Sequence, residues 1–266
     1  PIYFKNQNLK VLRVNCSDKL NYKPWGFFTE IFKEYFNLPF HNSFINLSNI
    51  KAALFDLDGV VFDTEPQYTV YWGDQCREFH PETPRLEHQI KGQTLVQIFD
   101  KHFSGELQPM QKVITDRLNE FEKHMTFDYI DGFIDFIGHL RLNGVKTAVV
   151  TSSNRVKMEQ VYQCRPEFKD MFDAILTSED FERSKPDPDC YEKAALRLGA
   201  ERTECVVFED SFNGLRSGRA AGMRVVGLAT TNSPESIASF ADIVIDNYDD
   251  EYIVSQGLEE KIKKNK

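Results

Sequence analysis

Apolar residues along this chain fall into two kinds of pattern. Short unbroken runs, bounded by polar residues or glycine, recur at 52–55, 145–150, 174–177, 205–209, 224–229 and 242–246. Runs of that length read as strands buried on both faces, the habit of a parallel sheet. Between them lie stretches with helical spacing. Apolar positions 113/114, 118, 121 and 125 mark one helix face, residues 133–143 form a second helix, and the whole of 67–130 carries helical patterning with no strand-like run. The pattern predicts an α/β protein with a helical insert behind its first core strand.

Three of these strands stop abruptly at polar residues. The run Lys51-Ala-Ala-Leu-Phe ends in Asp56-Leu-Asp58-Gly59, two carboxylates spaced i, i+2 ahead of a glycine that turns the chain. Such a pair suits a nucleophile and a proton donor facing one substrate atom; a polar turn after a core strand is the alternative. Thr147-Ala-Val-Val ends in Thr151-Ser152-Ser153-Asn154, groups that could hold a phosphate at a helix start or simply cap that helix. Cys205-Val-Val-Phe ends in Glu209-Asp210 ahead of a helix with small residues, where acids could also serve as dipole partners. A fourth segment, Arg183-Ser-Lys185-Pro-Asp-Pro188, sets one lysine in a rigid loop. That lysine is either a point charge for a phosphate or a solvated side chain.

Ligands of a parallel α/β sheet bind beyond the carboxyl ends of its strands, where all four segments would meet. Four carboxylates (Asp56, Asp58, Glu209, Asp210) within about 4 Å of one another repel by about 4 kcal/mol per pair at an effective dielectric of about 20. One lysine cannot offset that. A divalent cation can, and an all-oxygen donor set favours Mg²⁺ over zinc. The histidines show no ligand-like pairing with these acids.

Asp56-x-Asp58-Gly59, Thr151, Lys185 before a proline, and Glu209-Asp210 together resemble the haloacid dehalogenase superfamily of phosphotransferases, in the family's order and over residues 50 to about 246. The flanks Phe-Asp-Thr-Glu-Pro, Ser-Lys-Pro-Asp-Pro and Glu-Asp-Ser-x-x-Gly resemble its β-phosphoglucomutase-like subgroup, which carries a helical cap after the first motif. The resemblance implies a Rossmann-like parallel sheet core flanked by helices (50–66 and 131–254) and a small inserted α-helical cap (67–130). An N-terminal extension (1–49) and a charged tail (255–266) fall outside both. Asp56 would attack phosphorus to give an aspartyl-phosphate. Asp58 would protonate the leaving oxygen and then take a proton from water. Thr151, Ser152 and Lys185 would hold phosphoryl oxygens, and Mg²⁺ would sit between Asp56, the Asp58 carbonyl and Asp210, with Glu209 nearby. True dehalogenases lack the second aspartate and need no metal, so carbon–halogen cleavage is not expected.

The subgroup contains both sugar-phosphate phosphatases and β-phosphoglucomutases. The mutases carry a histidine where this chain has Tyr68 and a cap arginine where it has Leu95. Losing the distal cation favours hydrolysis of a small, sugar-like phosphomonoester. A β-phosphoglucomutase-type phosphomutase is the alternative; a non-catalytic binding protein on the same fold is a third, opposed by the intact acids and lysine. Lys91, Gln93 and Thr94 are the cap positions expected to touch substrate, although each could equally cap a helix or face water.

Charge and cysteine content narrow the partners. With 32 Lys+Arg against 41 Asp+Glu, the net charge of −9 opposes a nucleic-acid groove or an anionic membrane surface and leaves a small phosphorylated metabolite. Five scattered cysteines suggest a reducing compartment. No apolar run approaches the roughly 18 residues of a membrane span and no signal-peptide core is apparent, so a cytoplasmic monomer or homodimer is expected. Residues 1–50 stand apart, with six basic and three acidic residues. There Trp25, Phe28, Phe32 and Phe36 fall at helical spacing after Pro24, predicting an amphipathic helix that docks a partner or packs as an appendage.

Overall fold

The computed structural model describes residues 2–4, 12–14, 49–90 and 93–249. The chain divides into two units, 1–42 and 43–266. In the first, strands β1 (Ile2–Phe4) and β2 (Leu12–Val14) pair antiparallel, Ile2 opposite Val14. The helix expected around Trp25–Phe36, Lys91 in the cap and the tail 255–266 lie outside the described residues.

In the second unit, each apolar run named above forms a strand: β3 (Ala52–Phe55), β4 (Lys146–Val150), β5 (Ala174–Leu176), β6 (Cys205–Glu209), β7 (Arg224–Leu228) and β8 (Ile243–Ile245). They build one parallel sheet in the order β5-β4-β3-β6-β7-β8. All four residues of β3 and all five of β6 are buried, because both faces of the sheet are covered. Alternation along β3 sends Ala53 and Phe55 to one face and Ala52 and Leu54 to the other. The first face is strongly aromatic. Phe55 stacks on Phe208 with centroids 4.7 Å apart and meets Phe133 edge-on at 5.6 Å.

Four helices intervene between β3 and the return to the sheet: α1 (Glu65–Phe79), α2 (Glu87–Ile90), α3 (Leu95–His102) and α4 (Met110–Glu122). They close on a core of their own, with Tyr71, Trp72, Phe103 and Ile114 buried together. This is the inserted cap. Helices α5 (Phe133–Leu142), α6 (Arg155–Cys164), α7 (Asp189–Leu198), α8 (Phe212–Ala220) and α9 (Pro234–Ile237) belong to the sheet layers.

The strand order places the site. From β3 the chain moves outward to β4 and β5, then crosses back to β6 on the other side of β3. Connections leaving β3 and β6 therefore diverge and open a crevice at their carboxyl ends. Register is shared across it, with Phe55 level with Val149 on one side and Phe208 on the other.

Phe55 sits at the middle of the aromatic face, so Phe55→Ala should lower stability by about 3–5 kcal/mol. Leu142→Gln, at a position 85% exposed, should change it by less than about 0.5 kcal/mol. Urea unfolding followed by circular dichroism reads both.

Candidate active site

The tip of β3 is held in sheet geometry one residue beyond the strand, since the Asp56 N–H donates to the Phe208 carbonyl at 3.0 Å. Asp56 is thereby level with Glu209. A tight loop follows, in which the Leu57 carbonyl accepts from the Val61 and Phe62 N–H groups at 2.8 and 3.0 Å. Gly59 turns it with φ +72°, and a Cβ at that position would overlap the Asp210 carboxylate. Gly214 in α8 has the same steric duty toward Glu209. Two glycines thus let the acids of β6 close on the loop after β3.

Lys185 ties the acids together. Its ammonium, on a side chain only 4% exposed, donates to Asp56 Oδ1 at 2.7 Å, Glu209 Oε1 at 2.6 Å and the Val150 carbonyl at 3.0 Å. Glu209 Oε1 also accepts from the Tyr191 hydroxyl at 2.8 Å. Its Oε2 accepts from the Asp210 N–H at 3.2 Å, the Ser211 N–H at 3.3 Å and the Ser211 hydroxyl at 3.1 Å. Asp210 is steadied from the loop after β7, where the Thr231 hydroxyl reaches its carboxylate and the Asn232 amide reaches its carbonyl at 2.9 Å.

Ligand atoms of Asp56, Glu209 and Asp210 lie within 4.8 Å of one another. Burial, opposed by Lys185 and reinforced by Glu209, pushes Asp56 up to about 7. Burial and the neighbouring Glu209, Glu65 and Asp56 charges hold Asp210 well above the usual carboxylate range. For Lys185, burial works against the ammonium, but Asp56 and Glu209 outweigh it and raise its pKa. One ammonium among three buried acids leaves the cluster short of positive charge, and an all-oxygen donor set of this kind fits a hard divalent cation. Asp56 and Asp210 have oxygen atoms to offer it, whereas five donors already crowd Glu209.

Asp58 departs from the expected arrangement. Motif spacing predicts four acids around one lysine, yet Asp58 has a lysine of its own. Lys157 Nζ reaches its two carboxylate oxygens at 2.7 and 2.5 Å, and the hydroxyls of Thr64 and Ser153 donate to it at 2.6 and 3.2 Å. Lys157 stands in the first turn of α6 and lies 4.8 Å from the centroid of the Tyr68 ring, whose hydroxyl donates to Glu122 of α4 at 2.8 Å. Lys157, Tyr191 and Thr231 were not among the motif residues, and Thr64 stood in the flank Phe-Asp-Thr-Glu-Pro without a role of its own. A trace of Lys157 was present, because a cation in the first turn of a helix opposes the dipole and calls for a partner.

Thr151 is buried at the end of β4, its hydroxyl accepting from the Ser153 N–H at 3.0 Å. The cap of α6 is Asn154, which accepts from the Lys157 N–H at 2.9 Å, leaving Thr151 and Ser152 to face the crevice. In the cap, Thr94 does serve as a helix cap, accepting from the Gln97 N–H at 3.3 Å, and the Gln93 side chain donates to the Gln89 carbonyl. Both also line the cavity of about 390 Å³ between cap and sheet, together with Asp56, Asp58, Lys185 and Asp210. Gln97 bridges the two sides, donating to the Lys185 carbonyl at 3.3 Å and accepting from the Asn213 amide at 3.2 Å.

Comparison with known proteins agrees with this geometry. A bifunctional riboflavin kinase/FMN phosphatase of Arabidopsis thaliana is 27% identical over 224 residues, 80% of this chain, although the chain spans only 55% of that protein. Validoxylamine A 7'-phosphate phosphatase of Streptomyces hygroscopicus subsp. limoneus is 27% identical over 213 residues, covering 73% of this chain and 92% of the relative. The crystal structure of a HAD hydrolase, family IA, variant 3, from Entamoeba histolytica HM-1:IMSS has the same fold, with a TM-score of 0.66 at 22% identity over 78% of this chain and 99% of that one. Residues 53–228 match the haloacid dehalogenase-like hydrolases as a family, and this chain belongs to it.

Proposed function

We propose that this protein is a Mg²⁺-dependent phosphatase acting on a small, sugar-like phosphomonoester through an aspartyl-phosphate on Asp56. One observation carries the reading: Asp56 lies 2.7 Å from the Lys185 ammonium, shares a cation-sized cluster with Asp210, and opens into the cavity of about 390 Å³ beneath the cap. Both relatives named above are phosphatases by name.

Each residue has a defined part in that chemistry. Asp56 attacks phosphorus, and Lys185 offsets the charge of nucleophile and phosphoryl oxygens alike. Thr151 and Ser152, which line the cavity at the end of β4, receive the phosphoryl oxygens. Asp58 protonates the leaving oxygen and afterwards takes a proton from the water that releases phosphate, a role worth about 10²–10⁴-fold. Asp56, the Asp58 carbonyl and Asp210 would hold Mg²⁺, which supplies neutralising charge to the phosphoryl group in a loose transition state. Glu209, anchored by Tyr191 and Ser211, sets the position of Lys185 and would stand near the metal, its own oxygens already taken. Core 50–66 and 131–254 thus supplies the phosphoryl chemistry, and cap 67–130 selects the leaving group.

The cap side of the cavity is mixed: Tyr68, Thr94, Thr115, Asn119 and Glu122 set polar groups among Trp72, Ile90, Leu95 and Leu118, a wall that suits a leaving group with both hydroxyls and a carbon skeleton. Among the described residues lining it, the ammonium groups of Lys157 and Lys185 are each paired with a carboxylate. Neither is free to hold the far phosphate of a bisphosphate, which favours hydrolysis over a mutase. Among the described residues no helix is long and apolar enough to cross a membrane, and the four described cysteines are free, which supports a cytoplasmic setting.

Asp56→Asn should lower phosphate release from a panel of sugar phosphates by at least ~10³-fold, the scale of losing a covalent nucleophile, with the circular dichroism spectrum unchanged. Chelation should abolish turnover and Mg²⁺ should restore it. The metal-free protein should also show a pH signature. Asp56 stands at about 7 when folded against an ordinary 3.8, so the folded state binds that proton more tightly. This contribution is full at low pH and is lost as pH rises from about 4 through about 7, so the metal-free Tm should fall across that window. Saturating Mg²⁺ should flatten the slope, as thermal unfolding at several pH values would show.

A further inference from the structure

Lys157 is a buried charge to which the proposed chemistry gives no task. Its side chain is 4% exposed, and it enters the site from the first turn of α6, where lost hydration and the helix dipole both oppose an ammonium. The helix does not need it, because Asn154 already caps that end. What holds it is Asp58, through both oxygens, and the face of Tyr68 at 4.8 Å.

The contacts on Asp58 differ in kind. Thr64 touches only Oδ1, at 2.6 Å, and Ser153 only Oδ2, at 3.2 Å. Lys157 alone among these donors spans both oxygens, and so opposes rotation of the carboxylate about its last torsion. Asp58 sits beside Gly59, whose φ of +72° turns the loop after β3. Tyr68, on the first cap helix, backs the lysine and is itself bound to Glu122 on the last. The chain of contacts therefore runs from core to cap through the residue that orients Asp58.

We infer that Lys157 is a positioning residue, which fixes the Asp58 carboxylate toward the oxygen leaving phosphorus and ties that orientation to the cap through Tyr68 and Glu122. The inference rests on the reading of Asp58 as acid and base. In the first step Asp58 enters as the carboxylic acid, its proton on one oxygen and Lys157 bonded to the other. The bond from phosphorus to the leaving oxygen breaks, and the phosphoryl group passes to an Asp56 oxygen. The leaving oxygen takes the Asp58 proton, which returns the carboxylate to the two-oxygen contact with Lys157. An alkyl phosphate expels a strongly basic oxygen and depends on that proton. Acetyl phosphate expels acetate and does not. A group acting through Asp58 must therefore matter for the first substrate and hardly for the second, whereas a merely structural residue would affect both alike.

The test is steady-state kcat/KM of the full chain with Mg²⁺ on glycerol 1-phosphate or glucose 6-phosphate and on acetyl phosphate. Lys157→Met should cost about 10–100-fold on the alkyl phosphate, the scale of a misplacement of about 1 Å, and less than about 3-fold on acetyl phosphate. Asp58→Asn should show the same split, larger, and Lys157→Arg should recover part of the alkyl rate. Lys157→Gln carries the comparison if the methionine variant does not fold. Equal losses on both substrates, or none, with the split intact in Asp58→Asn, would overturn the positioning role and leave the reading of Asp58 standing. Absence of the split in Asp58→Asn would overturn both.

Discussion

Three carboxylates and one ammonium, buried together at the carboxyl end of a parallel sheet, set the terms for everything else in this protein. Removing Asp56, Glu209 and Asp210 from water is costly, and Lys185 offsets part of that cost by touching two of them at 2.7 and 2.6 Å. Breaking such a buried pair typically costs about 3–5 kcal/mol, because it strands the other charge. The surroundings are arranged accordingly. Glycine at positions 59 and 214 keeps Cβ atoms from separating the acids, Tyr191 and Ser211 occupy Glu209, and the loop after β7 steadies Asp210. The remaining shortage of positive charge makes the cluster fit for a divalent cation.

A second ion pair, Lys157 with Asp58, stands apart from the first and faces the cap. The site therefore has two electrostatic centres with different work. On the proposed reading, the first would hold the phosphoryl group at the sheet and the second would govern the proton at the boundary between sheet and cap. The cap can act as a unit because it has its own buried core around Trp72 and Phe103. Gln97 joins it to the loop of Lys185 by one hydrogen bond at 3.3 Å and to Asn213 of α8 by another at 3.2 Å, each a modest contact on the scale of a cap that opens and closes.

Much of the fold could be read from apolar runs. The expected strands at 145–150, 174–177 and 224–229 differ from those observed by one residue at one end, and 242–246 by one at each end, where fraying makes boundaries arbitrary. The chemistry at strand ends was legible for the same reason: a carboxylate after a continuous apolar run has to be compensated, so Asp56, Glu209 and Asp210 announce a site. Thr94 was ambiguous between capping and lining, and it does both.

What lay beyond local pattern depends on distance along the chain. Lys157 and Asp58 are 99 positions apart and Tyr191 and Glu209 18, and no periodicity relates such partners. Strand and helix periods, the polar stops and the acid excess follow from neighbouring residues alone, so the chain by itself determined the α/β class, the inserted helical segment and the gathering of Asp56, Glu209 and Asp210 at the strand ends. Which lysine meets which acid, and how the cap wall completes the cavity, were decided only by tertiary packing. The physical reason is that desolvation and Coulomb attraction act through space, and strand order, not sequence order, sets those distances.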